Sequence, residues 1–227
     1  MKILSLILFI GVLCLNLSAQ KVVELSESLV GIEKTKLEFE FADSISIQEW
    51  NKNEIYIKAI VNINNNADNE NFVFNSEKFS DRLTIESEIR NLEDLGVDKK
   101  VKDLETGEII EINCHIKLDI YFEVFLPKSM DISLETISGD IKVLGLIGNQ
   151  KLNTISGNID YSLLEKLKAD IELSTISGEM YTDFDFVIDD KGYYHYGHMN
   201  FTHKLNGGGS DISLETISGN IYLRKAR

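Results

Sequence analysis

Disulfides, basic charge and long apolar runs are all scarce in this sequence, and each scarcity removes a class of protein. Cysteine occurs twice, as Cys14 and Cys114. Cys14 falls in an apolar leader, so loss of that leader leaves one thiol and no intramolecular disulfide. Stability must then come from a hydrophobic core, and 227 residues suffice to bury one. Lysine and arginine number 23 against 37 aspartates and glutamates, a formal net charge of −14. Nucleic acids and anionic membranes attract basic surfaces, so neither is an expected direct partner. Proline occurs once, and helix-period stretches are few. β-Branched residues dominate instead, which points to strands throughout.

One apolar run is present, at the start. Lys2 precedes an apolar stretch over residues 3–17, and Ser18-Ala19-Gln20 follows. That is the layout of a secretory signal peptide, and it is shorter than the ~20 residues of a transmembrane helix. Cleavage after Ala19 or Gln20 makes residues 1–20 the leader. The expected destination is the periplasm, the cell surface or the exterior. A lipoprotein signal would also place a cysteine beside an apolar run. Leu13 is too bulky for that signal, and the run continues past Cys14, so export without a lipid anchor at Cys14 is expected.

Period-two alternation begins soon after the leader. Leu37-Glu38-Phe39-Glu40-Phe41 and Ile45-Ser46-Ile47 show it, then Ile55-Tyr56-Ile57-Lys58 and Val61-Asn62-Ile63. Leu83-Thr84-Ile85-Glu86 and Ile116-Lys117-Leu118-Asp119-Ile120 continue it. These segments predict half-buried strands. Asn51-Lys52-Asn53 predicts a turn and residues 64–71 a polar loop. Residues 91–108 are charged and aperiodic, an excursion from the pattern.

The second half is a repeat array. Thr-Ile-Ser-Gly occurs four times, beginning at Thr136, Thr154, Thr175 and Thr216 and ending at Gly139, Gly157, Gly178 and Gly219. Recurrence near 20 residues is the signature of a stacked architecture. In the first unit Ile132, Leu134 and Thr136 share one parity, while Ile141 and Val143 have the other. The chain must therefore turn between them, at Ser138-Gly139. The expected fold is all-β, a single-stranded parallel β-helix (β-solenoid) with coils of about 20 residues. It forms one domain over residues 21–227, less regular over 21–126 and regular over the array at 127–227. Stacking would align the repeats into ladders in which threonine hydroxyls satisfy one another and isoleucines pack. The wider gap before Thr216 leaves two options open: a masked repeat at residues 194–199, or a loop insertion. Arg224, Lys225 and Arg227 would guard the exposed edge of a final coil.

These motifs resemble the domain-of-unknown-function 4097 (DUF4097) family of adhesin-like exported proteins with β-strand repeats. The segment from Ile45 through Trp50 to Ile57 looks like its early strand–turn–strand. The Thr-Ile-Ser-Gly-Asp/Asn-Ile units look like its recurrent core. The stretch from Leu205 through Gly207-Gly208-Gly209 to Gly219 looks like its C-terminal signature. Together they cover most of the chain after the leader. The resemblance implies a β-solenoid and an envelope location, and it supplies no catalytic residue.

No chemistry stands out beside it. His195, His198 and His203 fit no metal-ligand spacing. Gly207-Gly208-Gly209 lacks the Lys-Ser/Thr and the helix of a phosphate loop, and predicts a tight turn. Asp183, Asp185, Asp189 and Asp190 cluster in sequence, but no cleft-building loops accompany them. Cys114 and His115 are adjacent in a strand and would face opposite ways. No catalytic residue, cofactor or metal is therefore expected. Tyr181, Tyr193, Tyr194, His195, Tyr196, His198 and Phe201 form an aromatic-rich stretch suited to a glycan or protein partner. The expected function is a non-enzymatic exported envelope protein, an adhesin or structural scaffold, whose partner is a protein or glycan of the envelope or exterior. A polysaccharide-binding or polysaccharide-cleaving β-helix protein is the alternative.

Overall fold

The computed structural model describes residues 20–95, 99–102, 109–112, 116–186 and 199–226. Residues 1–19 of the leader, with Cys14, and Cys114 and His115 lie outside them. Short strands alternate with tight corners. The strands are β1 (Lys21–Ser28), β2 (Lys34–Phe39), β3 (Ser44–Trp50), β4 (Glu54–Ile63), β5 (Phe72–Phe79), β6 (Arg82–Ile89), β7 (Lys99–Lys102), β8 (Ile109–Ile112) and β9 (Leu118–Pro127). The array adds β10 (Asp131–Ser138), β11 (Asp140–Leu144), β12 (Gln150–Ser156), β13 (Ile159–Leu163), β14 (Ala169–Ser177), β15 (Met180–Thr182), β16 (Met199–Leu205), β17 (Ser210–Ser218) and β18 (Ile221–Lys225). The segments predicted at 55–58 and 61–63 fuse into the single strand β4. The aperiodic excursion holds a helical turn, Leu92–Leu95, and strand β7, which pairs antiparallel with β8 just beyond it.

Two eight-stranded sheets face each other. The front sheet runs β16-β14-β17-β12-β10-β2-β6-β5, and the back sheet β1-β4-β9-β3-β11-β13-β18-β15. This overturns the single-stranded parallel β-helix. Pairs β1–β4, β4–β9, β5–β6 and β14–β16 are antiparallel, so both sheets are mixed, and neither closes into a tube. Long strands such as β4 and β9 span ten residues each and pair as hairpin-like neighbours, which one repeated coil cannot supply.

What repeats is a smaller unit. Each of β2–β3, β10–β11, β12–β13, β14–β15 and β17–β18 puts one strand into the front sheet, turns, and puts the next into the back sheet. Neighbouring units pair parallel and in register. Leu37, Leu134, Leu152, Leu214 and Leu173 form one column in the front sheet. Ile47, Val143, Tyr161 and Leu223 form one in the back sheet. All nine are buried in a single core, each contributing ~1.5–3 kcal/mol. Strands β2–β6 and β9 share that core with the array. Phe39 of β2 stacks on Phe122 of β9 at 4.3 Å, joining the two sheets.

The corners fix the register. A β-carbon on Gly157 would overlap the carbonyl of Gly139, one on Gly219 that of Gly157, and one on Gly178 that of Gly219. Only glycine permits that approach. A ladder follows beside it. Asp140 Oδ1 accepts from Asn158 N at 2.8 Å, Asn158 Oδ1 from Asn220 N at 2.9 Å, and Asn220 Oδ1 from Glu179 N at 2.8 Å. A second ladder starts the front strands: Asp131 Oδ1 accepts from Asn149 N at 2.8 Å and Asn149 Oδ1 from Asp211 N at 2.9 Å. The threonine hydroxyls do not satisfy one another as expected. All four are buried; Thr216 donates to Gly157 O and Thr175 to Gly219 O, both at 3.0 Å, Thr136 donates to Ser138 O at 2.6 Å, and Thr154 has no partner among the described residues. A carbonyl beside a corner is a fixed acceptor, whereas a neighbouring hydroxyl must rotate to become one.

The stacking order departs from chain order. The unit β17–β18 sits between β12–β13 and β14–β15. Strand β16 runs antiparallel along the outer side of β14, and Met199 pairs with Thr175. The chain then crosses the start of β14 and returns as β17 on its inner side. Asn206 anchors the crossing by donating to Glu165 O and Leu167 O at 2.9 and 2.7 Å, and Gly209 N donates to Asp170 Oδ2 at 2.9 Å. The glycine run is thus a turn. Residues 194–198 of the masked-repeat option lie outside the described residues; Met199 lies in the front sheet, whereas Met180, its counterpart in that repeat, lies in the back sheet. Strand β18 is internal, so the basic tail guards no edge. Arg224 instead pairs with Asp160 at 2.9 Å and Lys225 with Glu165 at 3.1 Å.

Gly219→Ala should lower stability in urea unfolding by about 2–4 kcal/mol. Gly207→Ala, at φ +92° but with open space around it, should lose only about 1–2 kcal/mol. Equal losses would contradict the close-approach account.

Candidate functional site

Parity decides what the front sheet shows to solvent. In β10 the residues Ile132, Leu134 and Thr136 point inward, so Ser133, Glu135 and Ile137 point out. The same alternation in β12, β14 and β17 sends out Ile155, Ile176 and Ile217. The repeated isoleucine is therefore 42%, 48%, 53% and 43% exposed at positions 137, 155, 176 and 217. This overturns the packed isoleucine ladder. In-register pairing sets these side chains ~4.8 Å apart, in the order Ile137, Ile155, Ile217, Ile176. The result is an apolar stripe ~15 Å long across four strands.

An acidic column runs beside it. Glu86, Glu38 and Glu135 are direct neighbours across β6, β2 and β10, and Asn153 and Glu215 continue the line across β12 and β17. Stacked like charges repel. Lys36 relieves part of this, with its ammonium 2.7 Å from Glu38 and 3.4 Å from Glu135. The hydrogen bond to Glu38 raises the Lys36 pKa above the usual lysine value. Glu38, Glu86, Glu135, Ile137, Ile155 and Ile217 line one open depression on this face. On the same face Asn153 Oδ1 has no hydrogen-bond partner among the described residues, whereas the unpartnered hydroxyl of Thr154 lies on the core side of β12. The arrangement offers apolar area and acceptors side by side.

The aromatic stretch predicted as a partner surface is divided between the sheets. Tyr181, in β15 of the back sheet, is exposed and stacks on Tyr222 at 5.1 Å. Its hydroxyl donates to the Glu179 carboxylate, which raises the phenol pKa. Phe201, in β16 of the front sheet, is buried and packs on Phe186 at 5.2 Å. His203 lies 4.4 Å from the same ring. Phe184, Phe186, Phe201 and His203 together cover the end of the core beside β16. Tyr193, Tyr194, His195, Tyr196 and His198 lie outside the described residues. Among the described residues no group of three His, Cys, Asp or Glu side chains is placed to hold a metal ion. The repeat residues Thr136, Thr154, Thr175 and Thr216 are buried, and Gly139, Gly157, Gly178 and Gly219 form the corner column. The signal for the stripe was in the sequence: Ile137 has the parity opposite to Leu134 and Thr136.

Replacing Ile155 and Ile217 together by Thr should change stability by no more than about 1 kcal/mol in urea unfolding. Leu152→Ala or Leu214→Ala, three residues earlier on the same strands and facing the core, should each lose about 2–5 kcal/mol. A comparable loss from the isoleucine pair would make the stripe part of the core.

No protein-family model matches the sequence, and no curated protein does. Among solved structures, a candidate adhesin from Bacteroides fragilis NCTC 9343 aligns over 91% of this chain and 98% of its own, at 10% identity and a TM-score of 0.22. A candidate cell adhesion protein from Clostridium sporogenes ATCC 15579 aligns over 91% of this chain and 99% of its own, at 13% identity and a TM-score of 0.56. This chain shares the all-β fold of that clostridial protein.

Proposed function

We propose that the chain is a non-enzymatic, exported envelope protein that works as an adhesin or interaction scaffold. The observation that carries this is the exposed isoleucine stripe beside the glutamate column. A sheet face that only needed solubility would carry polar residues there, and four half-exposed isoleucines in register form the kind of apolar patch that binding surfaces show. The fold shared with a candidate cell adhesion protein supports the same reading. So does the DUF4097-like arrangement of the repeats. The leader over residues 1–20 directs the chain outward, free of a lipid anchor at Cys14. Among the described residues no helix is long and apolar enough to cross a membrane. The partner is a protein or glycan of the envelope or the exterior, and the acidic surface disfavours nucleic acid and anionic lipid.

A polysaccharide-binding role has one observation in its favour. Tyr181 and Tyr222 present stacked rings on the outer face of the back sheet, with the Arg224 guanidinium 5.1 Å from the Tyr222 ring. Such ring faces suit sugar stacking.

Antibodies raised to residues 21–226 should label intact source cells. Beads coated with that chain should attach to envelope or extracellular-matrix preparations, and beads coated with heat-unfolded chain should not. Labelling only after lysis, or equal attachment by both bead types, would refute the adhesin reading. Attachment abolished by Tyr181→Ala and by soluble polysaccharide would move the contact to the back sheet.

A further inference from the structure

We infer that the isoleucine stripe and the glutamate column together form a docking face for a cationic amphipathic polypeptide segment. This rests on the adhesin reading and gives it a partner chemistry. Three observations converge on it. The stripe is apolar, regular and ~15 Å long, which matches about four to five residues of an extended strand. The column beside it carries Glu86, Glu38, Glu135 and Glu215 in register, an excess of negative charge that Lys36 offsets only at Glu38 and Glu135. Between them Asn153 Oδ1 has no hydrogen-bond partner among the described residues.

The charge selects among occupants. A second copy of this chain laid stripe to stripe would bring two glutamate columns together, with a net charge of −14 on each chain. Like charges placed opposite one another across an interface disfavour that pairing. A neutral glycan would leave the carboxylates desolvated without a counter-charge. A segment whose apolar side chains cover the isoleucines, and whose lysines or arginines reach the glutamates, satisfies both columns at once. Arginine suits the site best, because its fork of donors can engage a carboxylate and a neighbouring amide oxygen together.

The test uses the chain over residues 21–226 and fluorescently labelled peptides of ~10 residues. One peptide alternates Val with Arg, a second Val with Glu, and a third Val with Ser. The Val/Arg peptide should bind saturably, and raising salt from ~50 to ~500 mM should weaken it. The other two should bind at least about tenfold more weakly. Ile155→Ser with Ile217→Ser, and separately Glu135→Gln with Glu215→Gln, should each weaken Val/Arg binding by about tenfold or more. Glu24→Gln with Glu54→Gln removes the same charge from the outer face of the back sheet and should leave binding unchanged. Circular dichroism and urea midpoints confirm that each variant is folded, and a single-substitution variant of each pair replaces any that is not. Equal weakening by the back-sheet control would reduce the effect to overall charge and overturn the site. So would unchanged binding in both front-face variants, or light scattering that shows a dimer disrupted by the isoleucine changes. Bead attachment that persists while the front-face variants behave as wild type would sink this site and leave the adhesin reading standing.

Discussion

At every repeated corner the backbone of one unit comes so close to the next that no β-carbon fits between them. That approach is the constraint the rest of the array follows. It demands glycine at 139, 157, 178 and 219, and it holds neighbouring units in strict register. Register then places an Asp carboxylate or Asn amide oxygen opposite the next backbone amide, a buried threonine under a corner carbonyl, and leucine over leucine in the core. Each of these contacts contributes only ~1 kcal/mol or so by itself. They act together because one geometric condition sets them all.

The same condition explains how a unit can be inserted out of chain order. Because the corners and ladders are alike, β17–β18 can accept the contacts of β12–β13 on one side and of β14–β15 on the other. The ladder from Asp140 through Asn158 and Asn220 to Glu179 records that order in hydrogen bonds. The inner side of β14 finds its partner only in the unit that follows it, after the chain has crossed over at Asn206. Such non-local pairing raises contact order and slows folding relative to sequential stacking. Antiparallel strands cover both ends of the front sheet and one end of the back sheet, whose other edge is the short parallel strand β15. At one end Glu27 of β1 accepts from Ser76 and pairs with Lys78 of β5 at 2.9 and 2.8 Å, linking the two sheets. The Lys78 hydrogen bond lowers the Glu27 pKa.

Local features were legible in the sequence and global ones were not. Period-two alternation found β2, β3, β6 and β9, and the parity change at Ser138-Gly139 located the corner. Repeats at Thr136, Thr154, Thr175 and Thr216 identified the stacked columns. The stacking order was hidden, because identical units carry no information about which neighbour each one meets. The mixed character of the sheets was hidden too, since alternation is the same in parallel and antiparallel strands. β1 and β5 escaped notice because edge strands bury little. The exposed stripe was legible and was misassigned. The repetition of Ile suggested packing, while parity, the stronger argument, put it outside.

A front face with an apolar stripe beside an acidic column follows from the register, so the function inferred for it depends on the order of the units. Disulfide trapping tests that order directly. In a Cys114→Ser background, cysteines replacing Ser156 and Ser218, which pair in register, should cross-link on mild oxidation, as should Ser177 with Ser218. Cysteines at Ser156 and Ser177 are two strand steps apart, ~9.6 Å, beyond the reach of a disulfide, and should stay reduced. Peptide mapping that finds the 156–177 link formed and the 156–218 link absent would mean the units stack in chain order, and would contradict the account.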